Sequence, residues 1–327
     1  MEFLSDNSSI LSTNSPEASS NELLAESWKL NDTYQSFGSY ISDQQNRDNL
    51  IAVFIWFLVN LIALTANLLL VLGIFRCAEM RSSTSYWFII SLAICDIFML
   101  FISLVVLVPA QGFQSSYKLT YEMNVCIMFV YDVFWYTYII QLGVMSINRL
   151  ISIVFPMDFK YMFSRSRTLT IISFDFLAGF LIALPNLFSC CHMIYYVEYF
   201  AAGYEDPDTW HRNLDIVVSI TPLIMMLISY SFIFIKIRRN NRYLIRNKLS
   251  TNSRGAMNNQ SKNKISKSEL RLLVQFLLFS VCYFVTWLTW EIAPRFWTSK
   301  WVGFAMTTLF PVNNSASYTF TTVRKCS

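Results

Sequence analysis

Charge is scarce in this chain. Asp, Glu, Lys and Arg make up only 14% of its 327 residues, against about 25% in a soluble domain. Hydrophobic residues supply 54% and come in long runs that charge hardly interrupts. Runs of roughly 18 residues or more read as membrane spans rather than a soluble core. Catalytic patterns are missing too. Neither the seven Cys nor the two His stand at a metal-ligand spacing, and no nucleophile is paired with a base. Nothing therefore marks an enzyme, a metal centre or a cofactor site. The polar first 49 residues contain no apolar core of a cleavable leader. No internal repeat is visible, which argues against an inverted-repeat transporter. The net charge of +4 hides a separation of acids from bases, so it does not point to nucleic acid.

What is present is an ordered series of apolar segments. Spans are predicted at Leu50–Phe75, Thr84–Ala110, Met123–Phe155, Leu169–Phe188, Leu214–Lys236, Ser268–Glu291 and Trp301–Phe320. Helices of about 20 to 30 residues cross a hydrocarbon layer about 30 Å thick, and helices leave no backbone group unpaired in lipid. The fold class is thus an all-α membrane protein, a seven-transmembrane helix bundle lying in the lipid bilayer over residues 50–320. Residues 1–49, rich in Ser and Asn, read as a disordered extracellular tail, and 321–327 as a short cytoplasmic one.

Lys and Arg set the orientation. Nineteen of the 25 fall between spans one and two, three and four, five and six, and after span seven. The other six are Lys29, Arg47, Lys118, Arg212, Arg295 and Lys300. That places the N-terminus outside and the C-terminus in the cytosol of a plasma-membrane protein. The basic stretch 238–266 reads as a solvated intracellular loop. Asn7 and Asn31 begin glycosylation sequons on the outer side. In this orientation fifteen acids face outward against six bases, a field that steers cations.

Polar residues within the spans are costly, about 2.5–3.5 kcal/mol for a charge at mid-bilayer. Asp96, Asp132 and Asp175 are such acids, and Asn67 and Asn314 are amides that need partners in the bundle. An ion or proton path through the three acids is the rival reading, that of a transporter or channel. Aromatic residues crowd one level of spans three and six: Tyr131, Trp135, Tyr136, Tyr283, Trp287 and Trp290, with Glu291 beside them. Spacings of three and four put subsets on one helix face. Aromatic faces can cage an ammonium or guanidinium, and they are also common where a helix meets the membrane interface.

In order, these residues carry a resemblance to rhodopsin-like G-protein-coupled receptors. Asn67 lies in Thr65-Ala66-Asn67-Leu68-Leu69-Leu70-Val71, as in that family's first span. Leu92-Ala93-Ile94-Cys95-Asp96 is similar to Leu-Ala-x-x-Asp of the second. Asn148-Arg149-Leu150 followed by Ile153 and Pro156 resembles the Asp-Arg-Tyr end of the third. Pro222 and Tyr230 fit the fifth, Phe279-Ser280-Val281-Cys282-Tyr283 the sixth, and Asn314-Ser315-Ala316-Ser317-Tyr318 the Asn-Pro-x-x-Tyr of the seventh. The chain departs from that family at Asn148, Leu150, Tyr283, Val285 and Ser315, as a divergent member, in keeping with an invertebrate neuropeptide receptor, would.

The resemblance implies a receptor that binds an extracellular ligand and activates a heterotrimeric G protein. Ile139, Pro222 and Phe279 match the trio that repacks on activation, and Arg149, Tyr230 and Tyr318 the groups that rearrange at the inner face. With Asn148 as its neighbour, Arg149 loses the charge-assisted partner of the resting state. Asp96 matches the family's sodium-linked acid, yet Tyr138 stands where a small hydroxyl would help hold the ion. Cys126 matches the third-span Cys that pairs with the second outer loop, with Cys190 or Cys191 as its partner. In amine receptors a third-span Asp pairs with the ligand. Counting from Arg149 puts that position at Tyr131, counting from Cys126 puts it at Val133, and Asp132 falls between. The retinal-bearing Lys of opsins has no counterpart, since Thr308 stands there. The expected ligand is a basic neuropeptide, with a biogenic amine second.

Overall fold

The computed structural model describes the backbone of residues 20–113, 119–251, 267–296 and 299–322, and side chains chiefly within 47–242 and 274–312. Seven long helices follow one another: α1 Ser20–Arg76, α2 Thr84–Ile102, α3 Tyr121–Val154, α4 Arg165–Ala183, α5 Trp210–Thr251, α6 Lys267–Phe296 and α7 Lys300–Thr322. Two short helices, Ala78–Ser82 and Pro156–Met162, link α1 to α2 and α3 to α4. Among the described residues, α1 to α5 each hold a stretch long and apolar enough to cross a membrane. The chain divides into two units, Met1–Ile51 and Ala52–Ser327.

Prolines punctuate these helices. Pro109 has no N–H to give the preceding turn, and its ring crowds the carbonyl four residues back. The chain answers with a π turn at Ser103–Leu107 before α2 ends through Val108–Gly112. Pro185 converts the end of α4 into a 3-10 turn, Leu184–Leu187. Pro156 follows Phe155, whose backbone leaves the helical region and closes α3. Pro222 and Pro311 are carried inside α5 and α7.

Helix α3 is the hub, packed against α2, α4 and α5. Close approach to α4 depends on Gly179, where a Cβ would meet the Thr137 amide and the Val133 carbonyl at 2.8 Å. Gly143 likewise lies against Pro222 and Met225 of α5. The main core gathers Phe88, Ile89, Leu92, Met99, Ile139, Leu142 and Met145 between α2 and α3. Large apolar side chains such as Phe54, Phe98, Phe174, Leu227 and Phe234 point outward instead. For helices surrounded by lipid, that outward face is solvated by hydrocarbon rather than water.

Two expectations change, and one element is new. The N-terminal segment is helical from Ser20 onward rather than without structure as far as residue 49; no proline interrupts the chain between Pro16 and Pro109. The basic stretch after Arg238 begins as helix, because α5 continues to Thr251; Arg and Lys are good helix formers even where apolar periodicity is absent. The connection from α4 to α5 holds an antiparallel hairpin, β1 Met193–Tyr196 with β2 Ala201–Tyr204, in the register Met193 to Tyr204 and Tyr196 to Ala201.

Candidate functional site

Toward the hairpin end of the bundle the helices leave a cavity of about 620 Å³, within the range of small-molecule and cofactor sites. Its walls come from α1, α2, α3, α5, α6, α7 and the hairpin. Seven of the eight residues expected at a ligand site line it: Tyr131, Asp132, Trp135, Tyr136, Trp287, Trp290 and Glu291. The eighth, Tyr283, is buried behind Trp135 with ring centroids 6.4 Å apart, and its hydroxyl donates to the Ser219 carbonyl at 3.2 Å. Trp135 also packs edge-on against Phe310 of α7 at 5.4 Å.

Asp132 is only 4% exposed. One carboxylate oxygen accepts from the Asn186 side-chain amide, at the 3-10 turn after α4. The sequence did not reveal Asn186, whose neighbour Pro185 was its only recognisable feature. Asp215, on α5, is the second carboxylate of the cavity, which Tyr136 and Ser219 line with it. It stands seven residues before Pro222, two turns along one helix face, and that spacing could have flagged it as a site residue. Beyond it, the Tyr204 hydroxyl donates to His211 Nδ1 at 3.1 Å, because His211 Nε2 donates to the Ile182 carbonyl at 2.8 Å. Burial pushes the Tyr195 and Tyr204 hydroxyls up, with Asp215 adding to the effect on Tyr204, so both stay protonated as donors.

The hairpin is fastened at two places. Asn124 of α3 pairs with the Tyr195 backbone in both directions, its amide donating to the carbonyl at 3.0 Å and its oxygen accepting from the N–H at 2.9 Å. At the hairpin's turn, Phe200 is buried at a φ of 54°, a left-handed conformation that costs a non-glycine residue energy. Its carbonyl accepts from Thr307 at 2.8 Å, and its ring packs on Trp301 and Phe304. Gly303 admits the turn, since a Cβ there would collide with the Tyr199 carbonyl.

The expected bond from Cys126 to the hairpin segment is not formed. Cys190 and Cys191 are bonded to each other, and Cys126 is exposed and free. The physical reason lies in the fastening: Asn124 already faces the hairpin, and a residue two further along a helix points about 200° away.

At the other end of α3, Asn148 is fully buried and accepts from Ser85 of α2 at 3.0 Å. Arg149 is buried beside it and within electrostatic reach of Tyr230. The Tyr230 hydroxyl in turn accepts from Ser280 at 3.4 Å. Ile139 lies at the centre of the core and Pro222 packs on Gly143. Asn67 is buried, donating to the Ala63 carbonyl of its own helix, and Asp96 is buried in α2. Asp175 is buried on α4, away from the cavity lining. The side chains of Phe279, Asn314, Tyr318, Asn7 and Asn31 lie outside the described residues. Among those that are described, no group of three or more His, Cys, Asp or Glu is placed to hold a metal ion.

Residues 57–316 match the model of the family described as serpentine type 7TM GPCR chemoreceptor Srx. The crystal structure of squid rhodopsin superposes with a TM-score of 0.68 at 14% identity, over 84% of this chain and 81% of its own. No curated protein matches the sequence.

Proposed function

We propose, from the premise that the chain belongs to the serpentine type 7TM GPCR chemoreceptor Srx family, that this G-protein-coupled receptor recognises a cationic ligand. The observation that carries this reading is Asp132. It is a buried carboxylate lining a cavity to which Trp135, Trp287, Trp290 and several tyrosines also contribute. A carboxylate in a low-dielectric pocket is costly alone and gains most from a charged hydrogen-bonding partner. Aromatic faces around it favour ammonium or guanidinium over a neutral guest. The basic end of a neuropeptide satisfies both features, entering from outside the cell past Glu205, Asp206 and Asp208, the acids that follow the hairpin. A biogenic amine is the second reading, favoured by the hairpin itself, whose residues wall the cavity and leave a space of small-molecule size.

Binding shifts the bundle between two arrangements, and the end carrying Arg149 opens toward a heterotrimeric G protein in the cytosol. Ile139 and Pro222 lie in the packed path from Tyr136 to that end, and Phe279 belongs to the same group. Asn67 and Asp96 supply polar contacts that differ between the arrangements, a role that the family resemblance extends to Asn314 and Tyr318. Asn7 and Asn31 carry glycans on the outer face.

The test is a screen of basic peptides and amines on cells that express the chain with a promiscuous G protein. Arg149→Ala serves as the uncoupled control, and ligand-evoked calcium is the signal. A cationic compound that evokes calcium only with the intact Arg149 supports the reading. Activation solely by acidic or neutral compounds overturns the ligand class, and activity confined to currents or uptake overturns the coupling.

A further inference from the structure

Two carboxylates, not one, reach the cavity. Asp132 is fixed by Asn186 of the turn after α4. Asp215 shares its wall with Ser219, one helical turn along α5. Tyr136 stands one helical turn beyond Asp132 on α3 and lines the same cavity. The carboxylates therefore sit on neighbouring walls at a separation on the order of 5–10 Å, about one to two turns of helix. Glu291, on a third wall, adds a like charge near Asp215. Among the described residues Arg212 is the one base of the lining; it is exposed and gives its guanidinium to the Pro207 carbonyl at 3.1 Å. It is not committed to either acid by any ion pair among the described residues.

Resting on the cationic reading above, we propose that the ligand is a dication, with one charge seated at Asp132 and the other at Asp215. Two like charges held close in a cavity repel, and a single monocation relieves only part of that repulsion. A molecule with two cationic groups about one helical turn apart relieves it at both ends. Trp135, Trp287 and Trp290 then face the apolar stretch between the charges. The required chemistry occurs in two sources: a linear diamine, and a peptide whose first residue is Lys or Arg, through its α-amino and side-chain groups.

The experiment compares calcium responses of the intact receptor to four kinds of probe. These are linear alkyl diamines of increasing length, the matching monoamines, dipeptides beginning with Lys or Arg, and the same dipeptides acetylated at the amino group. Diamines with about four to six methylenes should exceed their monoamines in potency by at least tenfold, the scale of one charge-assisted contact. If the natural source is a peptide end, the unblocked dipeptides show that advantage over the acetylated ones. Asp215→Asn should abolish the advantage of the second charge, while Asp215→Glu retains it. An amino-terminal epitope on unpermeabilised cells verifies that each variant reaches the surface. The chain-length comparison needs no variant at all, so a misfolded mutant does not protect the idea. Equal potency of mono- and dications overturns the second site and leaves the cationic reading standing. Silence toward every basic probe overturns both.

Discussion

A single side chain decides more here than its neighbours suggest. Asp132 is the residue whose charge the aromatic cavity surrounds, and its partner Asn186 is neutral. Replacing it by Asn keeps the shape and removes the charge. Potency of a cationic ligand should then fall tenfold or more, the range of a hydrogen bond to a charged group. A dose–response curve with unchanged potency would remove Asp132 from the site. At the opposite end, Asn148 occupies the place of an acid and bonds to Ser85 rather than to Arg149 through charge. Asn148→Asp supplies a carboxylate next to a buried guanidinium, and the pair favours the resting arrangement. Ligand-independent signalling should drop severalfold relative to the unaltered receptor at equal surface density. A rise in that basal signal would show that the Ser85 contact, rather than a missing charge, sets the resting balance.

Among the elements, the hairpin is the piece that shapes the cavity and the piece the sequence hid. The long helices were legible because lipid demands uninterrupted apolar runs, and composition records such runs directly. Met193–Tyr196 and Ala201–Tyr204 are four residues each, too short for alternation to separate a strand from any other apolar run. Their position is fixed by contacts distant in sequence, such as Asn124 with Tyr195 and Thr307 with Phe200. Asp215 was legible as an acid, and its seven-residue spacing from Pro222 was the one signal that could have marked it as a site residue. The acids and aromatics of α3 and α6 were found because one helix face brings residues three and four apart together.

Two substitutions follow at this scale. Gly303→Ala places a methyl group against the Tyr199 carbonyl, and overpacking of this sort costs about 1–3 kcal/mol. It should displace the turn and speed amide exchange over residues 197–201; unaltered exchange would mean that the turn does not seat there. Asn124→Ala deletes two hydrogen bonds worth about 0.5–1.5 kcal/mol each and should make β1 exchange faster. Cys126→Ser, by contrast, should leave both exchange and ligand potency as they were. Loss of function in Cys126→Ser alone would restore the cross-link from α3 to the hairpin segment.

Over the whole molecule, function depends on which way the bundle faces. The cavity lies at the hairpin end, while Arg149 and Tyr230 lie toward the other. A receptor needs those ends on opposite sides of the membrane, with the cavity outside. The bundle meets the first demand because one helix, α3, carries both Asp132 and Arg149, seventeen residues apart. For the second, charge makes the prediction: Lys and Arg crowd the segments between α1 and α2, α3 and α4, and α5 and α6, and basic segments favour the cytosol. Epitope tags at the two termini of the intact chain should accordingly be labelled differently on unpermeabilised cells, the amino-terminal tag bright and the carboxy-terminal one silent until detergent is added. Reversal of that pattern would turn the cavity toward the cytosol. Asp132 and Asp215 would then face intracellular solutes and Arg149 the medium, and no G protein could reach it.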